Sequence, residues 1–260
     1  MEVPPILSHE DYAEPSVFTP GNLLREARRQ RSVHEGVIPE ICVLDPDGDM
    51  VRLLQETDRA QKSPHWACYH TTLYTFTEGD VTLGIIGHAV GASFAVLVAE
   101  ELFASGCRFL ISLTSAGEIM PLTSDTPTRL ILIERALRDE GTSYHYLPPS
   151  TWSTLQPHVR NMFADAFHST SVPVTLGATW TTDAPFRETA TAINQARELG
   201  VLAVEMEAAA LYAFARASGN DVACFALVTN QMATVEGDFE KDLLHSLEIV
   251  NRAARQWITN

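Results

Sequence analysis

From Glu40 onward, short apolar runs punctuated by Gly, Pro and Asp alternate with longer stretches of helical character. This alternation constrains the fold more than any other feature. An apolar run buried on both faces suits the interior of a sheet, and a helix between two such runs suits a crossover between parallel strands. Residues 41–44 read as a buried strand ending at the turn Asp45-Pro46-Asp47-Gly48-Asp49. Residues 69–76 and 81–86 flank Glu78-Gly79-Asp80, which predicts a hairpin. Residues 89–105 form a long Ala/Val/Leu helix closed by Gly106. Strands follow at 109–114, 130–133 and 172–180. Residues 204–217 read as a helix closed by Gly219, 222–228 as the last strand and 240–258 as the terminal helix. The pattern predicts an α/β fold: a single domain, 1–260, with a mixed, largely parallel sheet flanked by helices on both faces.

Residues 1–39 stand apart as an N-terminal arm. Pro4, Pro5, Pro15 and Pro20 punctuate it, and its one helical stretch runs through Leu23, Leu24 and Ala27 with Asn22 as the expected N-cap. The core is expected over 40–260. Hydrophobic residues make up 45% of the chain, enough for a sizeable core.

Charge narrows the partners. Eighteen Lys and Arg face 33 Asp and Glu, a formal charge of −15, which excludes the cationic footprint of a protein that binds polymeric nucleic acid or an anionic membrane. Lys62 and Lys241 are the only lysines, and neither sits in the context of a Schiff-base or P-loop lysine. Cys42, Cys68, Cys107 and Cys224 are scattered among apolar neighbours, as small core residues are in a reducing compartment. No apolar run approaches the ~20 residues of a bilayer helix, and residues 1–5 show no basic, then apolar leader pattern. A cytoplasmic location is the expectation.

Ligands of open α/β sheets bind beyond the carboxyl ends of strands, and four segments fall there. Asp45 to Asp49 carries three carboxylates, but its spacing does not match a calcium loop; a solvated acidic turn and a ligand-facing loop both remain open. Gly84 to Ala92 runs into the long helix, where glycines bring backbone N–H groups close to an anion, with His88 at the junction as a core or a site residue. Thr114-Ser115-Ala116-Gly117 offers either a polar cradle or an ordinary turn. In Ala203-Val204-Glu205-Met206-Glu207-Ala208-Ala209-Ala210, two carboxylates occupy the first turn of an otherwise apolar helix. Helix-dipole complementarity explains them at the surface; burial would demand partners such as ligand hydroxyls.

Together these segments resemble the nucleoside phosphorylase/nucleosidase superfamily, which cleaves N-ribosyl bonds. Residues 204–210 look like its ribose-binding signature and 112–117 like its strand-end loop. Residues 181–186 resemble the segment bordering the base, and 225–230 the final strand facing it. The resemblance runs from about Glu40 to the C-terminus. It implies that Glu207 accepts hydrogen bonds from ribose hydroxyls, with Met206 against the sugar and Glu205 beside them. Thr114, Ser115 and Gly117, with Gly48, Arg52 and His88, would line the phosphate or nucleophile pocket. Phe186, Ala116 and Asn230 would border the base. Catalysis would rest on Glu207, Asn230 and Asp47, with no metal and no cofactor, and with inorganic phosphate as a co-substrate if the reaction is phosphorolysis.

Two departures from the family pattern matter. Asn230 stands where many members carry an Asp that protonates the leaving purine; an amide hydrogen-bonds but supplies no proton. Ser112 stands where phosphorylases commonly carry a phosphate-binding arginine. Phosphate would then depend on Arg52, Arg129, Arg187 or a partner subunit's arginine; alternatively water is the nucleophile, activated by Asp47 or Asp49. A nucleoside-cleaving enzyme is the main expectation, and a catalytically weakened nucleoside-binding or sensor protein the alternative. The resemblance also implies a homo-oligomer, to which the arm, with His9 and Arg25 to Arg31, is a candidate contributor.

Overall fold

The structure is a computed structural model and describes residues 4–8, 11–120, 129–167, 170, 173–230 and 241–260. In chain order the first elements are α1 (Pro20–Arg31), β1 (Ile41–Asp45), α2 (Asp49–Glu56), β2 (Gln61–Lys62), β3 (Tyr74–Glu78), β4 (Val81–Gly87) and α3 (Ala92–Ala104). Then come β5 (Phe109–Glu118), β6 (Arg129–Asp139), β7 (Trp152–Thr154), α4 (Pro157–Met162) and β8 (Val174–Thr182). The last are α5 (Ala190–Glu198), β9 (Val201–Glu205), α6 (Ala208–Ser218), β10 (Asp221–Asn230) and α7 (Leu243–Thr259).

All ten strands join one mixed sheet. Its longest ladders, β5 with β10 and β6 with β8, are parallel, while β3–β4, β6–β10 and β5–β9 are antiparallel. Strands β5, β10, β6, β8 and β9 pair in a closed circuit, and β1, β4, β3 and β2 extend from β5 as an open wing.

Strand β5 changes neighbours partway along. One edge pairs with β10 from Phe109 to Gly117. The other pairs with β1 only as far as Ser112, opposite Leu44, and meets β9 only from Gly117, opposite Val204, to Glu118, opposite Ala203. Between those points, among the described residues, that edge of β5 has no strand beside it. This gap is where the site forms.

Helix α6 explains how a carboxylate pair is brought under the gap. Ala208 to Ala215 are all buried, and the alanines let the helix lie close against α3 and the strands behind it. Tyr212 ties it down: its hydroxyl donates to the Ile133 carbonyl of β6 and accepts from the Cys224 N–H of β10 at 3.1 Å. A second helix pair, α2 and α7, packs against β1, β4 and β5. All four cysteines are free and buried. No helix among the described residues is long and apolar enough to cross a membrane.

Several boundaries differ from the sequence reading. Residues 204–217 are not one helix: β9 ends at Glu205 and α6 begins at Ala208, because Val201 to Val204 pair with β8 and β5. The run 109–114 continues as a strand to Glu118, so Thr114 to Gly117 are strand interior rather than a loop. Helix α3 starts at Ala92 instead of Ala89, since Gly91 at φ +90° breaks the helical path. The first hairpin strand starts at Tyr74. Thr19, not Asn22, caps α1: its hydroxyl accepts from the Asn22 N–H at 3.3 Å. Leu24 and Ala27 of α1 pack on Ala67, and Arg31 donates to the Cys68 carbonyl, so this helix rides on its own chain. Val172, Glu240 and His9 lie outside the described residues, as does the side chain of Arg129.

Candidate functional site

The gap on β5 opens into a cavity of about 900 Å³. Ser115, Ala116 and Gly117 form its floor, and Val204, Met206 and Ile193 give it an apolar wall that continues to Pro185 and Phe186. Phe186 is 100% exposed, so its whole ring is uncovered at the cavity mouth. Glu188 also faces in, its carboxyl raised by burial. Asp47, Asp49 and Lys241 close one corner, and Asn230, at the end of β10, lines the cavity with them.

The corner is built by the loop leaving β1. Asp45 turns inward, and one of its oxygens accepts from the Val51 N–H at 2.9 Å, fixing the start of α2. Burial pushes its carboxyl up to about 6. Gly48 must be glycine: its φ is +79°, and a Cβ there would lie 2.1 Å from the His88 ring. Asp47 is thereby aimed at the bare edge of β5. Its Oδ2 accepts from the Ser115 N–H at 3.3 Å, the Ser115 hydroxyl at 2.6 Å and the Lys241 ammonium at 2.9 Å. Lys241 also pairs with Asp49 at 2.5 Å. Burial opposes ionisation of Asp47, but these donors outweigh it and hold its carboxyl below the ordinary value. Burial likewise opposes the charged form of Lys241, but the two aspartates win and raise it.

The carboxylate pair lies at the back of the cavity, Glu205 in its lining and Glu207 beneath the floor. Glu205 accepts from the N–H groups of Glu207 and Ala208, both at 2.7 Å, and from the hydroxyls of Thr179 and Thr181. Four donors satisfy it, so Glu205, although it lines the cavity, is committed to the start of α6. Glu207 is 1% exposed. Its Oε1 accepts from the Gly91 N–H at 2.7 Å and its Oε2 from the Thr114 hydroxyl at 2.8 Å. Burial, reinforced by the neighbouring Glu205, pushes its carboxyl up to about 8. The Gly91 N–H is available because α3 starts late.

The structure thus brings Asp47, Asp49, Ser115, Ala116, Gly117, Met206, Phe186 and Asn230 to one cavity. Thr114 and Glu207 lie one layer beneath its surface, and Gly48 and His88 shape the loop behind it. Arg52 is not part of it: its guanidinium pairs with Asp49 from the outer side and is 61% exposed. Arg187 is exposed on the turn after β8. Among the described residues, no group of three or more His, Cys, Asp or Glu side chains is placed to hold a metal. Lys241 is the site residue that no motif marks; its rarity in an arginine-dominated chain is the available signal. Gly91 and Thr181 fall inside segments the sequence singles out, but their pairing with Glu207 and Glu205 is visible only in the fold.

Comparison with known proteins agrees with this architecture. Among solved structures, the chain is similar to the uridine phosphorylase of Vibrio fischeri ES114, a structure described as complexed with 6-hydroxy-1-naphthoic acid. The TM-score is 0.70 at 20% sequence identity, over 86% of this chain and 93% of that one, a likeness of fold. The profile of the phosphorylase superfamily matches residues 40–258, a span that opens one residue before β1 and takes in the floor, the acidic corner and the carboxylate pair. The chain belongs to the phosphorylase superfamily.

Proposed function

We propose that this protein cleaves the N-glycosidic bond of a nucleoside. The observation that carries the reading is the two-sided cavity over the β5 gap. An apolar wall formed by Val204, Met206, Ile193 and Phe186 suits a planar base, and a hydroxyl- and carboxylate-lined corner suits a sugar and its acceptor. Superfamily membership supports it.

Bond breaking places positive charge on the sugar and negative charge on the departing base. Glu207, beneath the floor, stabilises the sugar once ionised. Each of its oxygens accepts one hydrogen bond within the protein, from Gly91 or Thr114, and a carboxylate oxygen accepts two, so ribose hydroxyls complete the set. The Asn230 amide, beside Gly117 at the end of β10, donates to the leaving base without protonating it. Preorganised groups of this kind act where charge develops and need no rearrangement during the reaction.

The test is release of free base from a panel of purine and pyrimidine ribonucleosides and deoxyribonucleosides. Cleavage by the intact protein, lowered about a hundredfold or more in Glu207→Ala, is the expected result. Absence of base release with every nucleoside, with and without phosphate, would overturn the reading. Calorimetric binding without turnover would assign the cavity to a nucleoside-binding protein.

A further inference from the structure

We propose that Lys241 is the positioning residue of the acceptor corner, and that its double ion pair with Asp47 and Asp49 makes water, rather than phosphate, the acceptor. This rests on the N-glycosidic reading above.

The argument begins with charge. Lys241 is the one cation among the described residues lining the cavity, and its ammonium already bridges two carboxylates. Its side chain is 12% exposed against 37% for Asp47, so the ammonium is sheltered while the carboxylate it holds stays open to the cavity. Asp45 lies immediately behind, adding a third carboxyl group to the same corner. Glu188 and Glu205 face the cavity from the far side, and Glu207 lies under its floor. Segments 121–128 and 231–240 contain no lysine or arginine, and Arg129, whose side chain lies outside the described residues, is the one arginine that borders them. A phosphate dianion entering this corner meets carboxylates of like charge and an ammonium that is already neutralised. Water meets no such penalty.

Geometry then gives the corner a task. Three donors converge on Oδ2 of Asp47: the Ser115 amide, the Ser115 hydroxyl and Lys241. None of them binds the other carboxylate oxygen, so the carboxylate is held in one orientation beside the cavity floor with Oδ1 as its remaining acceptor. A water molecule bound there attacks C1′ of the sugar. The C1′–O bond forms as the C1′–N bond breaks, and the bonding pair leaves on the base. The proton released by water passes to Asp47, and the base takes a proton from solvent. The products are free base and free ribose. Lys241 touches neither reactant; it acts through Asp47, keeping that carboxylate ionised and fixed.

Two measurements test the proposal. In the first, the wild-type protein is incubated with the nucleoside panel in phosphate-free buffer and again with inorganic phosphate, and the sugar product is identified. Free ribose at equal rates in both buffers is expected. Ribose 1-phosphate, or release that requires phosphate, would overturn the inference while leaving N-glycosidic cleavage intact; no base in either buffer would overturn both. The second compares Lys241→Gln and Lys241→Arg with wild type by separating kcat from KM for release of the free sugar. Loss of the cation frees the Asp47 carboxylate from its fixed orientation, so kcat of Lys241→Gln should fall about tenfold or more with KM little changed, and Lys241→Arg should restore it. A wild-type kcat in Lys241→Gln would remove Lys241 from the mechanism. If Lys241→Gln does not fold, the Arg variant's kcat and the wild-type product decide.

Discussion

Glu205 and Glu207 are two residues apart and do different things. Glu205 is met by four donors and belongs to the fold; Glu207 has two and keeps capacity for more. No periodicity argument separates them, because the difference lies in Thr179, Thr181, Thr114 and Gly91, each far away in sequence. The sequence did mark Glu207 as a buried carboxylate in need of partners, and that much was legible from the alanine run after it. Its raised carboxyl has a thermodynamic consequence. The folded value, about 8, exceeds the ordinary 4.5, so the neutral form favours the folded state. That contribution is fully present below pH 4.5 and is lost as pH rises through about 8. Melting temperatures measured across this window should therefore fall less steeply in Glu207→Gln than in wild type.

Helix starts decide where backbone donors point. Gly91 holds φ +90° and ψ 148° just before α3, and an added Cβ would meet nothing within 4 Å. A Gly91→Ala variant thus isolates the backbone cost, about 1–3 kcal/mol. Denaturant titration should show it, together with weaker catalysis, because the N–H that meets Glu207 moves. At α6, Thr181 donates to Glu205 and accepts from the Ala209 N–H at 2.9 Å. Thr181→Val removes both bonds at nearly constant shape and should destabilise by about 1–3 kcal/mol, again read by denaturant titration. The alternation of apolar runs was enough to place most strands and long helices. It failed at 201–207, where β9 passes into α6 without a turn residue and continuous apolar character hides the change of period. It also failed at Thr114 to Gly117, whose small polar composition suits a turn; long-range pairing with β10 keeps them extended.

Across the whole molecule, the closed circuit of five strands fixes the far wall of the cavity, and the open wing carries the acidic corner. The arm is anchored to the wing side of its own chain, through Leu24 and Ala27 on Ala67 and the contact of α1 with α3. Leu24 is 1% exposed, and losing its burial costs about 2 kcal/mol. Leu24→Ala should then lower the melting temperature by about 6 °C, by calorimetry, without altering which sugar product forms. The sequence could name the arm and its helix but not its seat, since Ala67 and the Cys68 carbonyl carry no recognisable signal.

The pairing of Lys241 with two aspartates also alters what chemical labelling can report. The chain has only two lysine side chains: Lys62, exposed on the two-residue strand β2, and Lys241, enclosed by Asp47 and Asp49. An amine-acylating reagent should modify Lys62 readily and Lys241 slowly, because only the uncharged amine is nucleophilic and the aspartates keep Lys241 protonated. Each molecule therefore carries its own reference amine. The ratio of the two modified peptides, read by mass spectrometry, follows occupancy of the cavity without any substitution or fluorescent tag.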